Sequence, residues 1–173
     1  MAISLYDATV TGFLQILSAA EGVLEKGRAH CEANGIDLND VVETRLIENM
    51  FPFRFQVNSV AHHTAGAIAG VKKGVFSPDP GSLTADYAEL QKVLAAARAE
   101  VAACTPDEIN AFEGRDVLFQ FGEMKMPFTA EGFLLSFSTP NLHFHATTTY
   151  DILRMKGVPL GKRDYMGRPR LKV

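Results

Sequence analysis

Apolar residues recur every three or four positions through four long stretches of the chain, which is the spacing that gathers them on one face of an α-helix. The pattern predicts helices over residues 4–33, 52–73, 84–103 and 130–156. A glycine adopts the left-handed backbone conformation at little cost, so it ends a helix readily. Glycines stand just beyond three of the predicted helices, at Gly35, Gly74 and Gly157.

The stretch between the third and fourth helices has a different pattern. Polar and apolar residues alternate over positions 116–128, which predicts a β-hairpin that turns at Gly122 and Glu123. Thr129 is then placed to cap the last helix. Pro140 falls inside that helix and should kink it, because proline removes a backbone donor and crowds the preceding turn.

These elements predict an all-α fold, a four-helix bundle with a small β-hairpin between helices three and four. We find no linker that would divide the chain, so residues 1–173 are expected to form a single domain with residues 158–173 as a C-terminal tail. A chain of 173 residues buries enough surface to fold without a disulfide or a structural metal.

Composition excludes several classes of partner. Hydrophobic residues make up 47% of the chain and charged residues 21%, and the net charge is −3, so no broad basic face is available for nucleic acid. No run approaches the roughly 20 apolar residues that span a bilayer. The basic residues of the tail are expected to form a solvated, partly mobile end. They are Lys162, Arg163, Arg168, Arg170 and Lys172.

The cysteines and the N-terminus favour a cytoplasmic protein. Cys31 and Cys104 are too few for a disulfide framework and form no CxxC pair, so we expect reduced thiols. The first residues lack the basic region and apolar run of a secretory signal. Recognised catalytic patterns, such as HExxH, GxSxG and a phosphate-binding loop, are also missing from the sequence, so catalytic and cofactor-binding residues are unknown at this stage.

Helical projection ranks the five histidines by the direction they face. His145 lies at the edge of the apolar stripe of the last helix, so we expect it to point inward. His62 flanks the stripe of the second helix and is ranked next. His63 projects with Gln56 and Ser59 on a polar face.

Two interpretations of the inward histidines stay open. A lone inward histidine is most often a structural residue whose ring is hydrogen-bonded. A metal site would need several strong ligands converging from facing helices. His145 and His62 could hold zinc, nickel or iron only with help from supporting positions, because the residue one turn after His145 is a threonine. The candidate supporting residues are His63, Asn141 and Thr149.

Three segments carry a family resemblance. They are residues 51–57 (FPFRFQV), 140–154 (PNLHFHATTTYDILR) and 157–165 (GVPLGKRDY). The chain resembles the bacterial family named domain of unknown function nineteen-ninety-three, a branch of the DinB-like (YfiT-like) superfamily. The resemblance extends over essentially the whole chain.

The resemblance implies an up-down-down-up bundle, commonly dimeric, in which the loop of residues 75–83 runs the length of the bundle. It also implies a metal held by one histidine of the second helix and a His-x-x-x-His pair on the last. His145 matches the first of that pair, His62 or His63 could supply the second-helix ligand, and Thr149 stands where the second histidine should be. This departure predicts an incomplete metal site.

Two functional hypotheses follow from the sequence. The first is a bundle with an incomplete histidine site that serves as a structural or small-ligand-binding dimer, with a small molecule in the bundle core and no metal. The alternative is a metal-dependent enzyme acting on a small molecule, for example a thiol-dependent transferase or isomerase. A homodimer is expected because the phenylalanine-rich segment 119–137 adds more apolar surface than one bundle core needs.

Overall fold

A computed structural model describes residues 3–79 and 85–172 of the chain, which is mostly helical with a small three-stranded sheet. Two π turns interrupt the helices, one at His62–Gly66 and one at Phe133–Ser138. The helices are α1 Leu5–Ala8, α2 Val10–Asn34, α3 Leu38–Glu43, α4 Phe53–Ala61, α5 Ala67–Lys73, α6 Tyr87–Ala102, α7 Pro106–Asn110, α8 Ala130–Gly132, α9 Thr139–Met155 and α10 Lys162–Met166. The strands are β1 Val75–Phe76, β2 Asp116–Phe121 and β3 Met124–Thr129.

The core lies between the four longest helical stretches. Helix α2 packs against α6 and α9, and the stretch that begins with α4 packs against the same two helices from the other side. The side chains that fill this core are almost entirely apolar. The largest of those fully buried are Phe13, Leu17, Leu24, Phe53, Leu90, Leu94, Ile109, Phe133, Leu134, Leu142, Ile152 and Leu153.

The predicted helix ends are confirmed at all three glycines. Gly35, Gly74 and Gly157 have φ values of 65°, 76° and 87°, in the left-handed region where a side chain would strain the backbone. Helix α6 begins later than predicted, and its first turn is closed by a capping box in which Asp86 and Glu89 each accept from the other's backbone N–H. Residues 80–84, which include the second part of the predicted crossing loop and the predicted start of this helix, lie outside the described residues.

The predicted hairpin is confirmed, and a third strand joins it. Strands β2 and β3 pair antiparallel with Asp116 opposite Thr129, and the turn between them is Gly122-Glu123. Strand β1 pairs parallel with β2 through Val75 opposite Leu118, which the sequence did not predict because two residues carry no periodicity. This pairing holds Phe76 against the end of the α4–α5 stretch.

Three of the predicted long helices are interrupted. The first breaks at Thr9, whose φ of −122° and ψ of −70° are not helical and whose hydroxyl donates to the Leu5 carbonyl. The second and the last each contain a π turn. The turn in the last helix ends just before Pro140, and the Thr139 N–H there donates to the Leu134 carbonyl five residues back. The proline therefore follows a change of hydrogen-bond register, which accommodates its missing donor.

The tail is more ordered than the sequence suggested. Val158 and Leu160 are buried, and Gln15 on α2 donates to the Met166 carbonyl at 2.7 Å. Tyr165 packs against Tyr150 of α9. The basic side chains of the tail are exposed, as expected, but the segment that carries them is docked on α2 and α9.

Two smaller predictions can be compared with the structure. Cys31 and Cys104 are both buried free thiols, as expected. Burial raises the pKa of each thiol, which makes both poor nucleophiles.

Within residues 3–79 and 85–172, no helix is both long and apolar enough to cross a membrane.

Candidate functional site

Two imidazole rings meet where the first π turn faces α9. His63 of the turn and His145 of α9 lie nearly parallel, with an interplanar angle of 10° and ring centroids 5.7 Å apart. His62 lies beside them, with its ring centroid 5.6 Å from that of His63. Phe76 of β1 and Phe137 of the second π turn also contact the His63 ring. The structure therefore brings together three of the histidines that the sequence singled out.

The predicted order of burial was wrong. His63 is the most buried of the three, with 8% of its surface exposed, whereas His62 and His145 are half-buried. Gln56 and Ser59, which project on the same polar face of α4, are buried as well. This face is polar but packs directly against α9, so its polarity did not indicate exposure.

The His145 ring is oriented by Gln56. The Gln56 side-chain Nε2 donates to the Phe51 carbonyl at 2.8 Å, and a carbonyl can only accept, so the amide oxygen must point toward the ring. That oxygen, Oε1, lies 2.8 Å from His145 Nδ1. Nδ1 must therefore carry the proton, and Nε2 carries the lone pair.

His62 is held by a different pair of contacts. Its Nε2–H donates to the Ser77 carbonyl at 2.9 Å, and its ring stacks on Phe76 with centroids 4.4 Å apart. Because Nε2 is the donor, the lone pair is on Nδ1, which lies against Gly66. The His62 ring is therefore a hydrogen-bonded structural element that closes one side of His63.

His63 differs from its neighbours because its buried Nδ1 has no hydrogen-bond partner among the described residues. The hydroxyl of Ser138, in the second π turn, is the other buried side-chain atom in this condition. A buried polar atom left unpaired costs roughly 1–3 kcal/mol. An unpaired buried nitrogen packed among aromatic rings therefore calls for a physical explanation.

The three imidazoles are neutral near pH 7. Burial, with smaller effects from the nearby His145 and His62, lowers the pKa of His63 to about 3. Burial also lowers the pKa of His145 to about 4, with a smaller effect from His62. The pKa of His62 is lowered by burial, against the opposing effect of its bond to Ser77 and of nearby Asp79. Neutral rings offer lone pairs and N–H donors rather than positive charge.

The residues present do not fit the three-ligand metal centre that the fold family implies. Among the described residues, no group of three or more His, Cys, Asp or Glu side chains is placed to hold one ion. Thr149 donates to the His145 carbonyl at 2.9 Å and lines a crevice with residues of α2 such as Ala20 and Val23. Asn141 donates to the Phe137 carbonyl. Of the three predicted supporting residues, His63 lies beside His145, whereas the side-chain donors of Asn141 and Thr149 are both used on backbone carbonyls of their own helix.

Exposed aromatic side chains border the site on the side where His145 reaches the surface. Phe51 and Phe144 are 61% and 56% exposed, which is unusual for phenylalanine. Phe144 contacts the His145 ring edge-on, and Phe55, stacked on Phe51 at 4.2 Å, contacts it from the other side. We call Phe51, Phe55 and Phe144 the aromatic rim.

Comparison with known families and structures agrees with this architecture. The profile of the family described as domain of unknown function, DUF1993, matches residues 5–166. The chain belongs to this family. It is also similar to the crystal structure of a DinB family member protein from Shewanella denitrificans, with 26% sequence identity and a TM-score of 0.79 over 98% of this chain and 95% of that one. A comparison with curated proteins gave no significant match.

Sequence reasoning identified the histidines but missed their surroundings. Gln56 was grouped with His63 by helical projection, yet nothing in the sequence indicated that its amide bonds to His145. Phe76 lies in a stretch that the sequence predicts as a loop, and Phe137 lies where the predicted helix is interrupted. Periodicity therefore did not predict where either side chain points. A buried polar face can be predicted from sequence only when the helix that packs on it is known and is also polar. Residues 140–149 of α9 are such a polar partner.

Proposed function

We propose that this DUF1993 protein is a homodimeric DinB-like bundle of up-down-down-up topology that binds a small molecule at the His63–His145 pair. The observation that carries the proposal is the buried Nδ1 of His63, which has no partner in the described part of the chain although it is enclosed by other side chains. A purely structural histidine would be expected to satisfy its ring nitrogens within the protein.

The chemistry of the site favours an uncharged ligand with a hydrogen-bond donor. His145 presents the lone pair of Nε2, since its Nδ1–H donates to the Gln56 side-chain oxygen. The surroundings are apolar and aromatic, with Phe137 next to His63 and the aromatic rim next to His145. An aromatic or aliphatic body with one O–H or N–H group matches both features.

Phenol and anisole form a matched pair of probes for this proposal. They share a ring, but only phenol can donate a hydrogen bond. In NMR spectra of the full chain we expect phenol, and not anisole, to shift the ring signals of His63 and His145. The His63→Ala variant should lose this response, whereas His143→Ala should keep it, because His143 is exposed and bonded to Tyr165. Equal responses to the two probes would overturn the proposal.

One observation favours the alternative, a metal-dependent enzyme acting on a small molecule. A histidine that binds a metal through one nitrogen usually donates its other N–H to an oxygen, as His145 does to Gln56. Two histidines without a third strong ligand make a weak site, which is why we place this alternative second. Elemental analysis of protein purified without a histidine tag separates the two. Stoichiometric zinc, nickel or iron that disappears in His145→Ala would establish the alternative and overturn our choice.

The homodimer is proposed from exposed apolar side chains in the phenylalanine-rich segment. Phe121 and Met124, at the tip of the hairpin, and Leu135 are all more than 40% exposed. Exposed apolar side chains of this kind are often covered in a closed two-fold assembly. We expect light scattering at micromolar concentration to give twice the mass of 18.9 kDa. A monomer mass would refute the dimer and leave the histidine site untouched.

A further inference from the structure

We infer that Gln56 is a positioning residue that sets the tautomer of His145 and so decides which kind of ligand atom the site accepts. The inference deepens the proposed function and rests on it for the binding consequence alone. Its structural part, the fixed tautomer, concerns the ligand-free protein. The two parts can therefore fail separately.

The Gln56 amide has no freedom to reverse. It is 98% buried, and its Nε2 donates to the Phe51 carbonyl, which lies just before α4 and outside the hydrogen-bond ladder of that helix. Reversing the amide would set its oxygen against that carbonyl oxygen and its NH2 group against His145 Nδ1. Both hydrogen bonds depend on one orientation, so together they fix it.

The second hydrogen bond carries this orientation to the imidazole. Because Gln56 Oε1 can only accept, His145 is held in the Nδ1–H form over the 2.8 Å contact. The ring is also held from its other sides, since it stacks on His63 and contacts Phe55 edge-on. The Phe51 carbonyl, the Gln56 amide and the His145 ring thus form a continuous chain of two hydrogen bonds that ends at His145 Nε2.

The fixed tautomer has a consequence for specificity. His145 Nε2 has only a lone pair to offer, so an atom of an organic ligand that faces it must be a hydrogen-bond donor. A carbonyl, ether or carboxylate oxygen would meet a lone pair and be rejected. A glutamine also keeps this control without adding charge, which suits an apolar surrounding better than a carboxylate.

Long-range proton–nitrogen NMR spectra of the ligand-free protein distinguish the two tautomers of a neutral imidazole directly. We expect His145 in the Nδ1–H form in the unaltered chain. Gln56→Met keeps the length of the side chain and removes both hydrogen bonds, so His145 should lose its single tautomer. Gln56→Glu restores an acceptor for Nδ1–H and should rescue it. Ser59→Ala, on the same buried face, is the matched control and should change nothing.

The outcomes separate the inference from the proposed function. An unchanged Nδ1–H tautomer in Gln56→Met would overturn the inference, and so would a failure of Gln56→Glu to preserve that tautomer in folded protein. If the tautomer responds as expected, phenol affinity should fall about tenfold in Gln56→Met, the effect of one lost hydrogen bond. A tautomer that responds while phenol binds none of the variants would refute the proposed ligand class and sustain the positioning role. Should Gln56→Met fail to fold, Gln56→Leu, which also lacks both hydrogen-bonding groups, takes its place.

Discussion

Replacing His63 by methionine should stabilise the protein, although it removes a buried, well-packed side chain. The unpaired Nδ1 costs roughly 1–3 kcal/mol in the free protein, and methionine of similar size removes that cost. Its flexible chain can fill the space beside Phe76 and Phe137, but ordering that chain costs about 1 kcal/mol more than ordering the imidazole it replaces. We expect a net gain of about 1 kcal/mol in the free energy of unfolding, with loss of the phenol response.

His62→Met is the matched control because it makes the same change one residue earlier. His62 donates to the Ser77 carbonyl and stacks on Phe76, so its loss should destabilise the chain by about 1 kcal/mol. The two variants should then differ by about 2 kcal/mol in urea unfolding at pH 7.5, with equal m-values. If His63→Met is instead as destabilised as His62→Met, His63 is a structural residue and the reasoning from its unpaired nitrogen is refuted.

Two further predictions concern pH and the tail. His63 and His145 have pKa values of about 3 and about 4 in the folded chain against an ordinary value of 6.5, so the unfolded chain binds more protons below that pH. The free energy of unfolding should be constant above pH 7 and fall progressively from about pH 6.5 toward pH 4. In His63→Met, the midpoint of urea unfolding should depend less on pH over this range. In the tail, Tyr165→Ala should cost about 1–2 kcal/mol through lost packing on Tyr150. Asp164→Asn should cost less than about 1 kcal/mol, because its ion pair with Lys26 is exposed. If the two variants lose the same free energy of unfolding in urea, packing of Tyr165 is not what holds the tail.

Much of the fold followed from local rules that the chain obeys. The left-handed glycines, the turn at Gly122-Glu123 and the apolar stripes of α6 and α9 are set by backbone preference and periodicity, which a sequence displays directly. The two-residue strand β1 depends on pairing with β2, more than forty residues away. The break at Thr9 and the two π turns lie inside stretches whose periodicity predicts continuous helices. Such features have no local signal, so they could not be predicted.

The candidate site was predicted in part, and the missing part has one physical cause. Projection correctly grouped Gln56, Ser59 and His63 on one face of the second helix, but polarity was taken to mean exposure. The stretch has two buried faces, an apolar one that includes Val57 and Val60 and a polar one that packs on α9. Hydrophobicity along the sequence identifies the apolar face as buried, but it cannot show that the polar face is buried too.

A buried polar face normally costs stability, and this one is incompletely satisfied. Gln56 and His145 satisfy each other, but His63 Nδ1 does not find a partner among the described residues, and it lies in a π turn, a helical geometry of higher energy than the α-helix around it. Ser138, the second unpaired buried group, lies in the other π turn. Each π turn thus combines an irregular helical geometry with an unpaired buried polar group, and the two turns meet where His63 contacts Phe137. A shared function explains this coincidence more simply than two unrelated packing defects do. The unpaired Nδ1 of His63 is therefore the observation on which the proposed ligand site depends.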